Sequence, residues 1–167
     1  MTCPFCKGPF HSAEAPCDEM TKTFSKMEML TLERRRHSLE VEEEWPPESY
    51  LVKRWTAFGF DCAVTRGEVS LCGYARVPEG HPYCGKHYDD IDVSVHGGIT
   101  FCQRAKGGGM WFGFDTAHYD DWWGDARIGY EHTGRVWTVQ DVVKETERMA
   151  EQFAACGERK NLGHGNP

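Results

Sequence analysis

The 167-residue sequence contains no run of about 18 consecutive apolar residues, the length that spans a bilayer as a helix. Its opening stretch, MTCPFCKGPF, lacks the charged segment and apolar core that begin a signal peptide. We therefore expect no membrane span, no secretion signal and a cytoplasmic location. In that setting the eight cysteines are expected to be thiols or metal ligands rather than disulfides.

Positive charge is also scarce. The chain carries 19 Lys and Arg against 26 Asp and Glu, which gives a net charge of −7. Nonspecific binding of nucleic acid rests on Lys and Arg neutralising phosphates, so this balance argues against it, although a local basic patch remains open. An acidic surface is instead suited to a basic groove on another protein.

Known catalytic signatures are absent as well. The sequence has no H-E-x-x-H pattern and no Walker loop. The glycines at 107–109 lack the Lys and Ser/Thr that would follow in a phosphate-binding loop, so they are expected to form only a flexible turn. Any enzymatic activity must come from a site that these motifs do not describe.

The order of patterns predicts an α+β fold, with a small antiparallel sheet and a C-terminal helix packed on it. Good helix formers follow residue 17, and the prolines 46 and 47 end that segment. We expect a zinc-knuckle-like element at 1–17, a helix and acidic linker at 18–45, an α+β domain at 46–157, and a flexible tail at 158–167.

Strands and the last helix are predicted from periodicity. The stretch 50–77 indicates two strands joined by a turn at 65–67, and both IDVSVHGGITFCQR and MWFGFD indicate further strands. Thr138 is expected to cap the last helix and Gly157 to stop it. The apolar face of that helix consists of Val139, Val142, Val143, Thr146, Met149, Ala150 and Phe153.

The N-terminal cysteines suggest a structural zinc site. Cys3 and Cys6 have the C-x2-C spacing that points two thiolates at one tetrahedral ion, and His11 and Cys17 complete four ligands. The spacing resembles a CCHC zinc knuckle with one extra residue in the last gap. Four protein ligands leave no position for water, so the expected role is stability. A redox dithiol and an unstructured terminus with reactive thiols are the alternatives.

The stretch GHPYCGKHYDDIDVSVHGGITF, residues 80–101, contains many polar side chains that could bind a metal or act in acid–base catalysis. If Ile91, Val93 and Val95 face the core, Asp92 and His96 share the opposite face of a strand. They then lie about 13 Å apart, too far to bind one ion. A site would need residues from the next strand, for which Asp115 and His118 are the natural candidates.

Two blocks of this sequence resemble a group of small, uncharacterised bacteriophage and prophage proteins. The first, GYARVPEGHPYCGKHYDDIDVSVHGGITF, matches the pattern G-Y-x-x-V-P-x-G-H-P-x-x-G-K-x-Y-D-D-x-D-V-x-V-H-G-G. The second, GMWFGFDTAHYDD, resembles the block G-x-W-x-G-F-D-x-A-H-x-x-D of the same proteins. Together they cover roughly residues 73–121. The resemblance implies a phage accessory gene acting inside a bacterial host, for example against host defence, and implies no mechanism.

Three functional interpretations stay open. In the first, acidic and aromatic loops bind and modulate a host protein, such as a nucleic-acid-handling defence factor. In the second, a divalent metal additional to the zinc activates water for hydrolysis of a nucleotide or phosphate ester. In the third, the chain sequesters a nucleotide signal.

The candidate residues follow from these interpretations. Candidates for catalysis are His81, His87, Asp89, Asp115 and His118. Candidates for binding a ligand or partner are Lys86, His87, Tyr88, Asp90, His118, Trp122 and Trp123. The competing structural interpretation is that the aspartates cap turns, the histidines hydrogen-bond backbone groups and the tryptophans cover the core.

Overall fold

A computed structural model of the chain describes residues 18–122, 124–125, 130–131 and 134–162. The chain divides into two compact units, Met1–His37 and Ser38–Pro167. Helix α1 covers Asp18–Glu40, as expected for the segment after residue 17. The predicted zinc ligands lie outside the described residues: Cys3, Cys6, His11 and Cys17.

The second unit is built on a six-stranded sheet in the order β1-β5-β6-β4-β3-β2. Its strands are β1 (Glu42–Glu43), β2 (Leu51–Ala57), β3 (Phe60–Arg66), β4 (Leu71–Val77), β5 (Phe101–Ala105) and β6 (Met110–Asp115). All neighbours are antiparallel except β1 and β5, so the sheet is mixed. A short ribbon pairs β7 (Gly124–Asp125) with β8 (Tyr130–Glu131). The predicted α+β class is confirmed.

The stretch after residue 50 forms three strands instead of the two that we expected. The additional turn lies at Phe58 and Gly59, which have φ angles of 52° and 83°. Glycine adopts a positive φ readily, whereas a bulky side chain seldom does. Phe58 is therefore an unusual turn residue, and for this reason the sequence pattern did not reveal the turn.

Helix α2 covers Val139–Leu162 and begins at the predicted cap. The Thr138 hydroxyl accepts a hydrogen bond from the Asp141 amide, and the Asp141 carboxylate accepts one from the Thr138 amide in return. This reciprocal pair is a capping box. The expected stop at Gly157 is wrong, because the helix continues to Leu162. None of the described helices is both long and apolar enough to cross a membrane.

The apolar face of α2 packs on the sheet as predicted. Val142, Met149 and Phe153 are fully buried and belong to the same cluster as Phe112 and Phe114 of β6. The helix approaches β4 closely at Gly73, where a Cβ atom would overlap the Thr146 hydroxyl and the Phe114 ring. This close contact fixes the position of α2 over the sheet.

The segment 91–96 is extended but is not a strand. Its side chains alternate in exposure as predicted, with Val95 buried and Ser94 exposed. Its backbone, however, bonds to side chains of α2: Gln152 pairs with both the N–H and the C=O of Ser94, and Glu145 accepts from the His96 amide. The segment thus runs along the helix and delivers His96 to the N-terminal half of α2.

Candidate metal centre

Among the residues that the structure describes, one group of three side chains has the arrangement of a metal site. It consists of His96, His118 and Asp121, whose ligand atoms all lie within 4.8 Å of one another. His96 comes from the extended segment along α2, and the other two follow β6. The group therefore joins two parts of the fold that are distant in sequence.

His118 and Asp121 are fixed by a tight turn after β6. The Asp121 amide donates to the His118 carbonyl, and the Asp121 Oδ2 atom accepts from the His118 amide at 3.0 Å. This local pairing holds the imidazole and the carboxylate at three-residue spacing on one side of the turn. A second strand segment supports it, because Asp121 forms a β-bridge with Arg135.

His96 occupies the second position of a β-turn. The Gly98 amide donates to the Val95 carbonyl, and Gly97 has a φ of 65° at the third position, which favours glycine. The His96 ring lies edge-on to His118, with ring centroids 5.0 Å apart. Gly97 also makes room for that partner, because a Cβ atom there would overlap the His118 imidazole.

Asp121 is the anchor of the group and is fully buried. Its Oδ2 atom lies 2.7 Å from His96 Nε2 and 3.4 Å from His118 Nδ1, while its Oδ1 atom accepts from Trp137 Nε1 at 2.7 Å. Burial raises the pKa of Asp121, but hydrogen bonds from His96, Trp137 and the His118 amide outweigh that effect and hold the pKa below its ordinary value. The carboxylate is therefore kept ionised, as a metal ligand requires.

Two imidazoles and one carboxylate form a donor set with a definite chemical preference. Imidazole nitrogens suit zinc, iron, copper and nickel, whereas magnesium and calcium prefer oxygen ligands alone. Three protein ligands leave coordination positions for water or substrate, as in catalytic zinc sites and non-heme iron sites. Both histidines are half-buried as whole residues, while the His118 Nδ1 atom beside Asp121 is buried.

The structure brings two of the predicted catalytic residues together. Asp115 Oδ1 lies 4.0 Å from His118 Nδ1 at the end of β6. Both Asp115 oxygens accept hydrogen bonds, from the Thr100 hydroxyl at 2.9 Å and from the Ala117 amide at 3.0 Å. Asp115 is thus a half-buried carboxylate at the rim of the group, while His118 is a member of it.

Of the other predicted catalytic residues, His81 contacts the C-terminal half of α2. His81 bonds to the Phe153 carbonyl and to the Tyr83 amide, as the structural interpretation expected. Phe153 and Glu145, which holds His96, are eight residues apart, or about 12 Å of helix. The site that combines the stretch 81–90 with Asp115 and His118 stays a prediction.

His87 and its sequence neighbours contact one another within the loop that follows β4. His87 is buried, contacts the Tyr88 ring at 4.0 Å and lies 3.0 Å from the Asp89 carboxylate. Lys86 lies over the Tyr83 ring, with its Nζ atom 5.6 Å from the centroid. Asp89 and Asp90 are exposed on a single helical turn. These contacts form no convergent site.

Trp122 directly follows Asp121 in the sequence. It therefore adjoins the cluster of His96, His118 and Asp121, which we call the metal-type group. Its side chain is 46% exposed, and it lines a cleft of about 470 Å³ together with Trp137, Thr116 and the turn between β3 and β4. Trp123 lies outside the described residues. Because Trp137 also donates to Asp121, the cleft and the His/Asp group share one wall.

Sequence reasoning missed Asp121 and Trp137 and set His96 aside. The spacing His118-x-x-Asp121 was a usable signal, because an i, i+3 pair in a turn can point both side chains the same way. The role of His96 depends on partners 22 and 25 residues further along the chain, which strand geometry alone does not reveal. No family model, curated protein or solved structure matches the chain, so the chemistry rests on its own residues.

Proposed function

We propose that the protein is a metal-dependent hydrolase of a phosphate ester or nucleotide, with one transition-metal ion held by His96, His118 and Asp121. The observation that carries the proposal is the convergence of two imidazoles and a buried carboxylate within 4.8 Å. That set matches the two-nitrogen, one-oxygen ligand sets of catalytic zinc sites. Zinc is the ion that we favour.

The chemistry follows from the number of ligands. Zinc binds nitrogen and oxygen at about 2.0–2.2 Å, so two ligand atoms on one tetrahedral ion lie about 3.4 Å apart. His96 Nε2 and Asp121 Oδ2, at 2.7 Å, need only a small opening for an ion to replace the hydrogen between them. A water in an open position would have its pKa lowered to about 7 and act as the nucleophile. Asp115, at the rim, is placed to accept its proton.

Metal binding is tested in the Cys3→Ser/Cys6→Ser background, which separates this centre from the N-terminal cysteines. Mass spectrometry under native conditions should find one zinc ion per chain. Asp121→Asn, which keeps the size of the side chain but removes its charge, should lose that ion. The variant Asp90→Asn, which changes an exposed carboxylate in the turn Tyr88–Asp90, should keep it. An equal zinc content in both variants contradicts the proposed ligands.

Hydrolysis is tested on the same proteins. Phosphate monoesters, diesters and nucleotides are incubated with the zinc- or manganese-loaded chain, and released phosphate or nucleoside is measured. We expect turnover that Asp90→Asn retains and Asp121→Asn loses by at least 100-fold, since a metal site contributes several kcal/mol to the transition state. Zinc binding without turnover of any substrate would support the metal site and contradict the hydrolase function.

The predicted N-terminal zinc site adds a second, structural ion. Cys3, Cys6, His11 and Cys17 are its proposed ligands, and their C-x2-C start supports the assignment. The unmutated chain should then carry two zinc ions and the Cys3→Ser/Cys6→Ser variant one. A content of one ion in both proteins contradicts the N-terminal site.

A second candidate function is binding to a host protein in the bacterial cytoplasm. The exposed residues of the turn after β6 support it, because Tyr119 is 86% exposed and Trp122 46% beside the acidic Asp120. Exposed aromatic residues are frequent anchors of interfaces. A host protein retained by the native chain should be lost with Tyr119→Ala/Trp122→Ala. Retention by both proteins contradicts this surface, and recovery of a bound nucleotide instead supports sequestration.

A further inference from the structure

Trp137 contacts the metal-type group at two points, the Asp121 carboxylate and the His96 ring. Its indole Nε1–H donates to Asp121 Oδ1 at 2.7 Å, while Oδ2 of the same carboxylate lies beside His96 and His118. The two oxygens of one buried carboxylate therefore have different partners. The two oxygens are therefore not equivalent as metal ligands.

A carboxylate binds a metal either through one oxygen or through both. Binding through both requires that the two oxygens face the ion together. The indole N–H is only a donor and holds Oδ1 turned toward Trp137. Oδ2 accepts from the His118 amide and is the oxygen beside which both imidazole nitrogens lie, so an ion held by the imidazoles would meet Oδ2. The geometry thus favours a single Asp121–metal bond.

Trp137 is itself held in place by contacts that do not involve the metal. The Arg135 guanidinium lies over its ring, 3.8 Å from the centroid, and also lies 3.6 Å from the Asp141 carboxylate in the first turn of α2. The Trp137 ring contacts His96 as well, with centroids 4.5 Å apart. One side chain therefore orients two of the three ligands.

We infer that Trp137 is a positioning residue that restricts Asp121 to one metal bond and so keeps open coordination positions at the ion. The inference rests on the metal binding proposed above and concerns its geometry. Because the ion then receives three protein atoms in place of four, it retains room for both a water and a substrate oxygen. Partners behind the ligands commonly change metal affinity by about 10- to 100-fold.

The first test compares Trp137→Phe with Trp55→Phe, on the edge strand β2, in the Cys3→Ser/Cys6→Ser background. Phenylalanine at 137 preserves a ring beside His96 but removes the N–H. Cobalt(II) serves as the probe, because its visible absorption is strong with four or five ligands and weak with six. We expect Trp137→Phe to bind cobalt about 10- to 100-fold more weakly, with weaker absorption, and Trp55→Phe to match the unchanged site.

The outcomes separate this inference from the proposed function. If the parent protein binds no cobalt, the metal site itself is wrong. If it binds cobalt and Trp137→Phe gives the same affinity and spectrum, the metal site stands and the positioning role is overturned. Circular dichroism confirms that each variant is folded.

A second measurement follows the Trp137 N–H in the protein that retains Trp137. In protein labelled with nitrogen-15 at its six tryptophans, the indole N–H of Trp137 should give a signal that exchanges slowly with solvent. Trp122→Phe and the other single replacements assign it by elimination. Saturation with zinc should leave that slow exchange unchanged, because Oδ1 stays with Trp137. Fast exchange of this N–H in the zinc-bound protein would mean that Asp121 has turned both oxygens to the ion, and overturns the inference.

Discussion

At the scale of single residues, Gly97 connects the turn geometry to the metal-type group. Its φ of 65° favours glycine, and the His118 ring fills the space that a Cβ atom would take. Its neighbour Gly98 has a φ of 87° but open space around it. Both glycines therefore have a positive φ, but only at Gly97 would an added side chain overlap another residue.

This difference gives a prediction with a matched control. Gly97→Ala and Gly98→Ala should each lose about 1–2 kcal/mol of stability, because alanine is strained at positive φ. Only Gly97→Ala should also weaken zinc binding, by roughly tenfold or more, since it displaces His118. Urea unfolding and a competitive zinc titration measure the two effects. Equal zinc affinities in the two variants would contradict the role given to the His118 contact.

The thiol of Cys62 should be chemically inert. It is fully buried in β3, and burial raises its pKa to about 12. At pH 8 only roughly one thiol in ten thousand is then the reactive thiolate. Iodoacetamide followed by peptide mapping should label the partly exposed Cys156 long before Cys62. In urea both should react, and equal rates in the native protein would contradict the burial.

At the scale of elements, the start of α2 depends on a two-residue capping box. Thr138→Ala removes the hydroxyl that accepts from the Asp141 amide, and should destabilise the protein by about 0.5–2 kcal/mol. Thr138→Ser retains a hydroxyl and should recover most of that loss. Urea unfolding at pH 7 measures both variants. A Thr138→Ala protein as stable as the parent would show that the cap contributes nothing.

The same box gives a pH dependence. Hydrogen bonds from the Thr138 side chain and amide lower the pKa of Asp141 below its usual 3.8. A lowered pKa stabilises the fold above the pKa of the unfolded chain, and the contribution disappears as the pH falls through the lower folded value. Asp141→Asn should therefore cost stability at pH 7 and little at pH 2–3. A cost that is independent of pH would contradict this origin.

Sequence patterns predicted the elements that have a regular apolar periodicity or that pair with a neighbour in the sequence. The apolar face of α2 and the strands flanking the glycines 107–109 were of this kind. The segment 91–96 shows where such patterns stop being sufficient. The predicted alternation of exposure is correct, but the backbone of this segment bonds to Gln152 and Glu145 of α2 and not to a neighbouring strand. The sequence does not indicate which polar residues of a helix will accept such hydrogen bonds.

The candidate site was predicted only in part for the same reason. Asp115 and His118 are predicted as site residues because they lie at and just after the end of the next strand. His96 was compared only with Asp92 on its own segment, although its partners come from the turn after β6. The contact between His96 and Asp121 depends on how 91–96 runs along α2, and tertiary packing sets that path.

At the scale of the whole molecule, metal binding should stabilise the fold. The proposed ligands join the segment along α2 to the turn after β6, and an ion that binds only the folded chain adds about 2.7 kcal/mol at 100 times its Kd. In the Cys3→Ser/Cys6→Ser background, zinc should raise the Tm and EDTA should reverse the rise. Asp121→Asn should show no such response. An equal rise in Asp121→Asn would place the ion elsewhere.

The contacts that α2 and the segment before it make with the ligands also set an order of events during synthesis. All three proposed ligands have been added once residue 121 leaves the ribosome, but the Asp121 carboxylate still lacks Trp137 and the His96 amide still lacks Glu145. Chains emerge N-terminus first, so the nascent protein carries a complete ligand set without its supports for some 25 residues of translation. A chain stalled before α2 would hold the three proposed ligands without Glu145, so the metal uptake proposed above should be a late event that follows formation of the C-terminal helix.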